Sequence, residues 1–490
     1  MATEAPTTQE DQAEVRPYPG YRWLWVWLGL GWLASGADRT ITGPAVTYMI
    51  DAKVPLMANV DNPFAVGGLA GSLLFAGYML MQFPGGQVGD RVGHRAVIVV
   101  GIAWAGIATI LSGVMTALVG FVALRVLTGL GAGVFYSNDR TVITRQSPFE
   151  KRSLGMGWAI TGLAVGITIA LLLASPLIDL GKSLMGADDA WRVPFIGLGA
   201  LAIVIAVGMA MFFSRQGGDH VYKPEYGKVL VSLLRYAAVF FVAVMGIYIA
   251  ATEAGLSEWV VAVLELLLAL VLVGFIFVRK GSEVGPILRN RDLMIMNVAA
   301  IAILWNLWFF SFWSVSIVGD ATQGGFLKSA LTATFFGVAG IIGYPAGGYL
   351  GDRAKVSGRG RKQLLVAFSL IQGLLTLGFG FYLSGGGNSV WVLGVLLFVT
   401  SLFFNALQPM SHALVADLVP KAAYLGAAFG MFNLIGEMGA VLSPAISGVL
   451  RDSSGDWASA VFLDAGIILT SFVLLLFVRE NKQPLPGAKT

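Results

Sequence analysis

Apolar residues come along this chain in long runs, each closed by a short polar, basic or glycine-rich stretch. A helix needs about 20 consecutive apolar residues to cross the hydrocarbon core of a bilayer, and these runs have that length. Fourteen can be drawn: 23–48, 64–88, 96–115, 118–140, 153–175, 193–213, 231–251, 256–278, 293–318, 328–350, 363–383, 390–416, 422–450 and 458–478. Tyr21, Trp23, Trp25 and Trp27 introduce the first as an aromatic belt suited to a membrane interface. Glu253, Gly255 and Glu258 form the short polar turn that separates the seventh run from the eighth. The pattern predicts an all-α polytopic membrane protein with 14 transmembrane helices.

Composition agrees with lipid as the main solvent: 56% of the 490 residues are hydrophobic and 12% charged. There is no cysteine, which excludes disulfides and thiolate metal sites, and three histidines offer little for a metal centre. No nucleophile–base constellation or phosphate loop is present, so neither an enzyme nor a cofactor or metal is expected. The net charge of +4 is explained by basic residues gathering in cytoplasmic loops rather than by nucleic acid. With both termini cytoplasmic, most of the 32 Lys and Arg fall inside; Lys53, Lys182, Arg192, Lys328 and Arg451 fall outside.

One phrase is written twice. Gly85–Arg91 reads GGQVGDR and Gly347–Arg353 reads GGYLGDR, each at the end of an apolar run and followed by basic residues. Asp–Arg cannot rest in hydrocarbon, so each copy is expected to mark a tight turn at a membrane surface within a duplicated protein. The copies lie 262 positions apart. Six helices use about 200 residues, and segment 231–292 supplies the surplus of about 60. The expected plan is a disordered cytoplasmic tail at 1–20, a six-helix bundle at 21–215, a linker with two inserted helices at 216–292, a second six-helix bundle at 293–480 and a cytoplasmic tail at 481–490.

The phrase Gly86-Gln-Val-Gly-Asp90-Arg91-Val-Gly93-His-Arg95 resembles the signature between the second and third helices of the major facilitator superfamily. Ala37-Asp38-Arg39-Thr40, Tyr78 with Gln82-Phe-Pro84, Ser137-Asn-Asp-Arg140 and Asn433-Leu-Ile-Gly436 are similar to its anion:cation symporter branch. The resemblance implies the major facilitator fold, two six-helix bundles, and transport of organic anions such as sugar acids. Two departures stand out. The branch has a glutamate, implicated in proton coupling, seven residues after the arginine of its fourth helix; here that position is Ala132. The two inserted helices are also unusual for it.

Charges inside apolar runs ask for a reason, since a central arginine costs about 2.5–3.5 kcal/mol on insertion scales. Arg39 reads either as an anion contact or as a charge neutralised by Asp38 or snorkelling outward. Arg125, at the position of the branch's second substrate arginine, reads either as a substrate contact or as a charge snorkelling outward, and both arginines are expected to face one cavity. Tyr78, Gln82, Asn306, Asn405, Gln408 and Asn433 are further substrate-binding candidates. Asp38 and Glu437 are the proton-coupling candidates, and Asp464 is a further second-half acid that reads either as a cavity residue or as one solvated at the outer end; Glu437 follows Asn433 by one helical turn and shares its face. Asp90, Arg91, Arg95, Arg140, Asp352 and Arg353 are expected to act in gating. The tryptophans near Asn306 read as core or lipid-facing more readily than as a substrate platform.

The expected function is secondary active transport of a small organic anion, coupled to protons as uptake by alternating access, in a prokaryotic cytoplasmic membrane. The main rival is a fourteen-helix drug:proton antiporter. It accounts for the helix count, but Gly162-Leu163 stands where such exporters carry Gly-Pro. A transporter-like sensor without flux is a third possibility.

Overall fold

With no water to satisfy N–H and C=O groups in hydrocarbon, a chain of this composition must close its backbone hydrogen bonds within helices. The computed structural model describes residues 18–148, 152–215, 224–279, 281–419 and 425–480, and among them finds helix and short connections. The tail at 481–490, nearly all of that at 1–20 and much of the linker after 215 lie outside the described residues.

The first half comprises α1 (Tyr21–Asp51), α2 (Pro63–Val92), α3 (His94–Ser112), α4 (Leu118–Ala132), α5 (Phe135–Gln146), α6 (Arg152–Met185) and α7 (Arg192–Ser214). Next come α8 (Tyr226–Glu253), α9 (Glu258–Arg279) and the short α10 (Gly281–Leu288). The second half holds α11 (Arg291–Thr322), α12 (Phe326–Val356), α13 (Arg361–Ser384), α14 (Val390–Leu418), α15 (Leu425–Ser454) and α16 (Ala458–Leu476). The apolar run at 118–140 is a single crossing broken at Gly133–Val134 into α4 and α5. Among the described residues, 12 helical segments are long and apolar enough to cross a membrane. α1 and α9 are outside that set, α1 carrying Asp38 and Arg39 in its middle.

The duplication shows in the packing. In the first half α1 lies on α6, α2 on α4 and α3 on α7; in the second, α11 lies on α15, α12 on α14 and α13 on α16. The halves meet along two further pairs, α2 with α15 and α6 with α12, with α1 against α11 between them. α8 packs on α2, α3 and α4, while α9 packs on α2 and α15, so the inserted pair lies along one of the two seams. Large apolar side chains such as Val204, Val242, Val271 and Trp391 stand exposed, as a surface facing lipid requires.

Both GDR copies are helical, which corrects the expectation of a tight turn there. Asp90 and Arg91 end α2, and the reversal follows at Gly93, whose φ of 117° suits glycine. Asp352 and Arg353 lie in the last turns of α12, with the reversal at Gly358 and Gly360. Basic residues in a last helical turn offset the negative end of the helix dipole, which favours continued helix over a turn at this point.

The halves are tightly sealed at the end opposite the GDR segments. Thr40 and Ser311 hydroxyls meet at 2.8 Å, Ala445 N donates to Ser72 Oγ at 3.1 Å, and Ala65 N at the start of α2 donates to Asp452 Oδ2 at 2.7 Å. Arg451 stacks on Phe64 from the other half at 4.9 Å, and itself pairs with Asp320 at 2.7 Å.

Candidate functional site

Arg39 sits in the middle of α1, 2% exposed, where α1 faces both α2 and α11. Its guanidinium carbon lies 4.6 Å from the centroid of the Tyr78 ring and 4.5 Å from that of Trp308, with Trp32 at 6.0 Å. Tyr78 belongs to the first half and Trp308 to the second, so one buried cation is covered from both. A desolvated cation–π contact contributes about 2 kcal/mol, which offsets part of the cost of burying the charge.

The walls are themselves held. α4 approaches α2 so closely that a Cβ on Gly133 would stand 2.2 Å from the Tyr78 carbonyl oxygen, and this fixes the backbone of Tyr78. Trp308 packs against Phe75 with ring centroids 4.5 Å apart. Arg39 Nε donates to the Ser35 carbonyl at 3.1 Å, while Nη2 is buried with no partner. Among the described residues no carboxylate ion-pairs with this guanidinium.

Other buried donors near it are also unused. Gln82 Nε2, Trp308 Nε1 and the Tyr344 hydroxyl have no hydrogen-bond partner among the described residues. Tyr344, Tyr78 and Glu437 all lie within electrostatic reach of Arg39. Asn433 Nδ2 donates across the halves to Gln82 Oε1 at 2.8 Å, and Glu437 Oε2, one turn further along α15, is unpaired. A caged cation with idle N–H and O–H donors around it is suited to an anion bearing hydroxyl groups.

Arg125 does not share this place, contrary to the expectation of two arginines facing one cavity. It is completely buried inside the first half. Its Nη2 donates to Ser112 Oγ at 2.7 Å, its Nη1 lies 3.4 Å from Asp38 Oδ1, and its guanidinium stacks on Phe195 at 4.9 Å. Thr109 Oγ1 donates to the same Asp38 oxygen at 2.5 Å. The physical reason lies in α1: consecutive helical residues point about 100° apart, so Asp38 turns toward α3 and α4 while Arg39 turns toward α2 and α11. Asp38 Oδ2 and Ser35 Oγ remain unpartnered beside a cavity of ≈ 20 Å³ whose wall includes Ala132.

The remaining candidates disperse. Asn306 Nδ2 donates to Asp464 within the second half at 2.5 Å, which takes its amide away from Arg39. Asn405 Nδ2 donates to the Ser401 carbonyl at 2.7 Å, and Gln408 is buried with Oε1 unpaired. Asp90 meets His94 at 3.2 Å and Arg145 at 3.8 Å; Arg95 stacks on Phe213, and Arg91 and Arg353 are exposed. Arg140 donates to the Met156 carbonyl and stands 3.6 Å from Asp139, which accepts from Trp32 Nε1 at 2.7 Å. Asp352 pairs with Arg361 at 2.8 Å, and Arg361 also pairs with Asp417, which Lys355 approaches at 3.2 Å. Each of these contacts stays within one half.

Sequence reasoning passed over Trp308 as a wall, Arg361 with Asp417, and Asp452. The only signal for Trp308 was its place in a tryptophan stripe, which reads as core.

The family model described as Major Facilitator Superfamily matches residues 28–327 and 316–490. The probable galactarate/D-glucarate transporter of Bacillus subtilis is 24% identical over 462 residues, covering 92% of this chain and 89% of that protein. The D-galactonate transporter of Escherichia coli is 22% identical over 416 residues, covering 83% and 85%. In solved structures, a bacterial homologue of the human lysosomal transporter Spinster, captured inward-facing, superposes with a TM-score of 0.68 at 13% identity, covering 96% of this chain and 100% of that one. At that identity the likeness shows the fold.

Proposed function

Because the chain belongs to the Major Facilitator Superfamily, a family of integral membrane transporters rather than enzymes, we propose that it takes up a small organic anion of the sugar-acid class together with protons, by alternating access. The two six-helix bundles at 21–215 and 293–480 rock about the Arg39 site. The insertion at 216–292 adds α8 and α9, giving fourteen crossings with α1 counted. The GDR end faces the cytoplasm of a bacterial cell and carries both termini, as the distribution of Lys and Arg favours.

The observation that carries this reading is Arg39, a buried cation without a carboxylate partner among the described residues, walled by Tyr78 and Trp308 from opposite halves. A substrate carboxylate takes the idle guanidinium edge; Gln82, Tyr344 and Asn433 address its hydroxyls. Glu437 is the acidic group beside that cation and comes from the second half. Anion arrival at Arg39 displaces its electrostatic attraction to Glu437, which then takes a proton, so charge balance and closure are linked. Ala132 leaves the first half without the branch's glutamate, and Asp38, held by Arg125, is the acidic group remaining there.

The test is a thermal-shift screen of purified protein against D-glucarate, galactarate, D-galactonate, an aromatic acid and phosphate, followed by counterflow in liposomes at several pH values. Loss of one partner of a buried charged pair costs about 2–5 kcal/mol. Arg39→Ala should therefore weaken anion binding by about 30-fold or more, at about 1.4 kcal/mol per tenfold. Counterflow at the wild-type rate in Arg39→Ala overturns the assignment. Export of lipophilic cations with no response to any organic acid favours the drug:proton antiporter.

A further inference from the structure

Asp464 is completely buried in α16, and its single polar contact among the described residues is the 2.5 Å hydrogen bond that Asn306 Nδ2 of α11 gives to Oδ2. The other oxygen of each group, Asp464 Oδ1 and Asn306 Oδ1, is buried without a donor. Two unpaired acceptors, one on each member of a hydrogen-bonded pair in a low-dielectric interior, are a costly arrangement. A carboxylic acid and a primary amide are complementary: the amide N–H gives one bond, and an acid O–H on the second oxygen gives the other.

One helical turn toward the GDR end lies a cavity of ≈ 10 Å³, roughly the room of one water. It touches Ile303, one turn before Asn306, and Ile468, one turn after Asp464. Its polar lining is Ser369, Gln372, Ser411 and Ser471, of which Gln372 Nε2 and Ser411 Oγ have no partner. These groups lie inside the second half, on the GDR side of Asp464 and apart from the Arg39 site.

We propose that Asp464 and Asn306 form a second proton-binding site, filled from the GDR end by way of this small cavity with its three serines and Gln372, and independent of Arg39. The proton completes the acid–amide pair between α11 and α16. α11 also carries Ser311 and Phe312, which meet α1 across the seal, so the site's occupancy acts on the helix that forms the seal. The charged residues on elements packed against α16 are Arg361 and Lys362 of α13, Arg291, Asp292 and Asp320 of α11, and Glu437, Arg451 and Asp452 of α15. Among the described residues none of them hydrogen-bonds or ion-pairs with Asp464.

The experiment is infrared difference spectroscopy of the full chain in liposomes, titrated in pH without any organic anion, so it stands whether or not anion transport is found. A protonated-carboxyl C=O band is expected that Asp464→Asn abolishes and Glu437→Gln leaves in place. Asn306→Leu should shift that band by removing its hydrogen-bond partner. Ser411→Leu, which fills the cavity, should keep the band while slowing its hydrogen–deuterium exchange at least tenfold. The site is overturned if no band is lost in Asp464→Asn, or if sodium at constant ionic strength removes it from the wild type. Should Asp464→Asn fail to fold, an unshifted band in Asn306→Leu with unchanged exchange in Ser411→Leu overturns it equally.

Discussion

A single methyl group at Gly43 should hold the sealed end of this protein open. Gly43 of α1 faces the backbone of Phe312 in α11, across the two halves. A Cβ there would stand 1.9 Å from the Phe312 carbonyl oxygen and 2.6 Å from its carbon, where ordinary contact begins at 3.4 Å. The obstacle is helical backbone, which has no rotamer to change. α1 and α11 must therefore part by about 1.5 Å at this level, taking Thr40 and Ser311 out of hydrogen-bond range. Overpacking of this kind costs about 1–3 kcal/mol. The penalty falls on the state with this end sealed and is absent once the halves separate, so Gly43→Ala should move the equilibrium toward opening by about 5- to 150-fold. Gly68→Ala should act alike, since its Cβ would stand 2.1 Å from the Pro444 carbonyl oxygen. The chain has no cysteine of its own, so Ser183→Cys and Ser384→Cys place one spin label at the sealed end of each half. Double electron–electron resonance should then show a longer distance gaining population in Gly43→Ala. Gly246→Ala, where nothing lies within 4 Å, is the control that should leave the distribution unchanged. A folded Gly43→Ala protein with the wild-type distribution would refute the view that α1 and α11 separate.

Two further expectations follow from the charge networks. Removing Arg125 alone strands Asp38 in the interior of the first half, and loss of one partner from a buried pair costs about 3–5 kcal/mol. Arg125→Leu should therefore lower thermal stability more than Arg125→Leu with Asp38→Asn; equal losses would show that the pair is not coupled. At the GDR end, Asp352 is 74% exposed while Asp417 is 24% exposed, and Arg361 meets both. Exposed pairs contribute about 0–1 kcal/mol, so Asp417→Asn should reduce the melting temperature and Asp352→Asn should scarcely alter it. The reverse order would mean that the repeated motif, rather than its unrepeated partner, secures α12 to its neighbours.

Much of the fold was legible because lipid imposes one rule on every crossing, and a run of about 20 apolar residues has few other uses. The repeated phrase exposed the duplication, and the structure repeats it as the same three helix pairings in each half. The GDR segments depart from expectation for a local reason: their polarity reads as a turn, although Asp and Arg are accommodated in the last turns of a helix. The site was less legible, because a linear sequence names charges and leaves their partners open. Trp308 looked like core since it lies among Trp305, Phe309 and Phe310, and only its approach to Arg39 from the opposite half makes it a wall.

Asp38 and Arg39 show what the sequence did contain. Read as neighbours, they looked like a pair that could cancel. Adjacent residues on a helix cannot face the same way, and at about 100° apart one of them had to serve the interior of its own bundle if the other met the opposite half. Asp38 took the first role, with Arg125 and Thr109 as its partners, and this leaves Arg39 uncancelled. Had Arg125 lain at the interface as well, Asp38 would be a buried anion without this counter-charge and the interface would hold two cations. Committing Arg125 to the interior of the first half leaves Arg39 uncancelled at the interface, where the proposed anion would bind and where its loss should be felt by both halves.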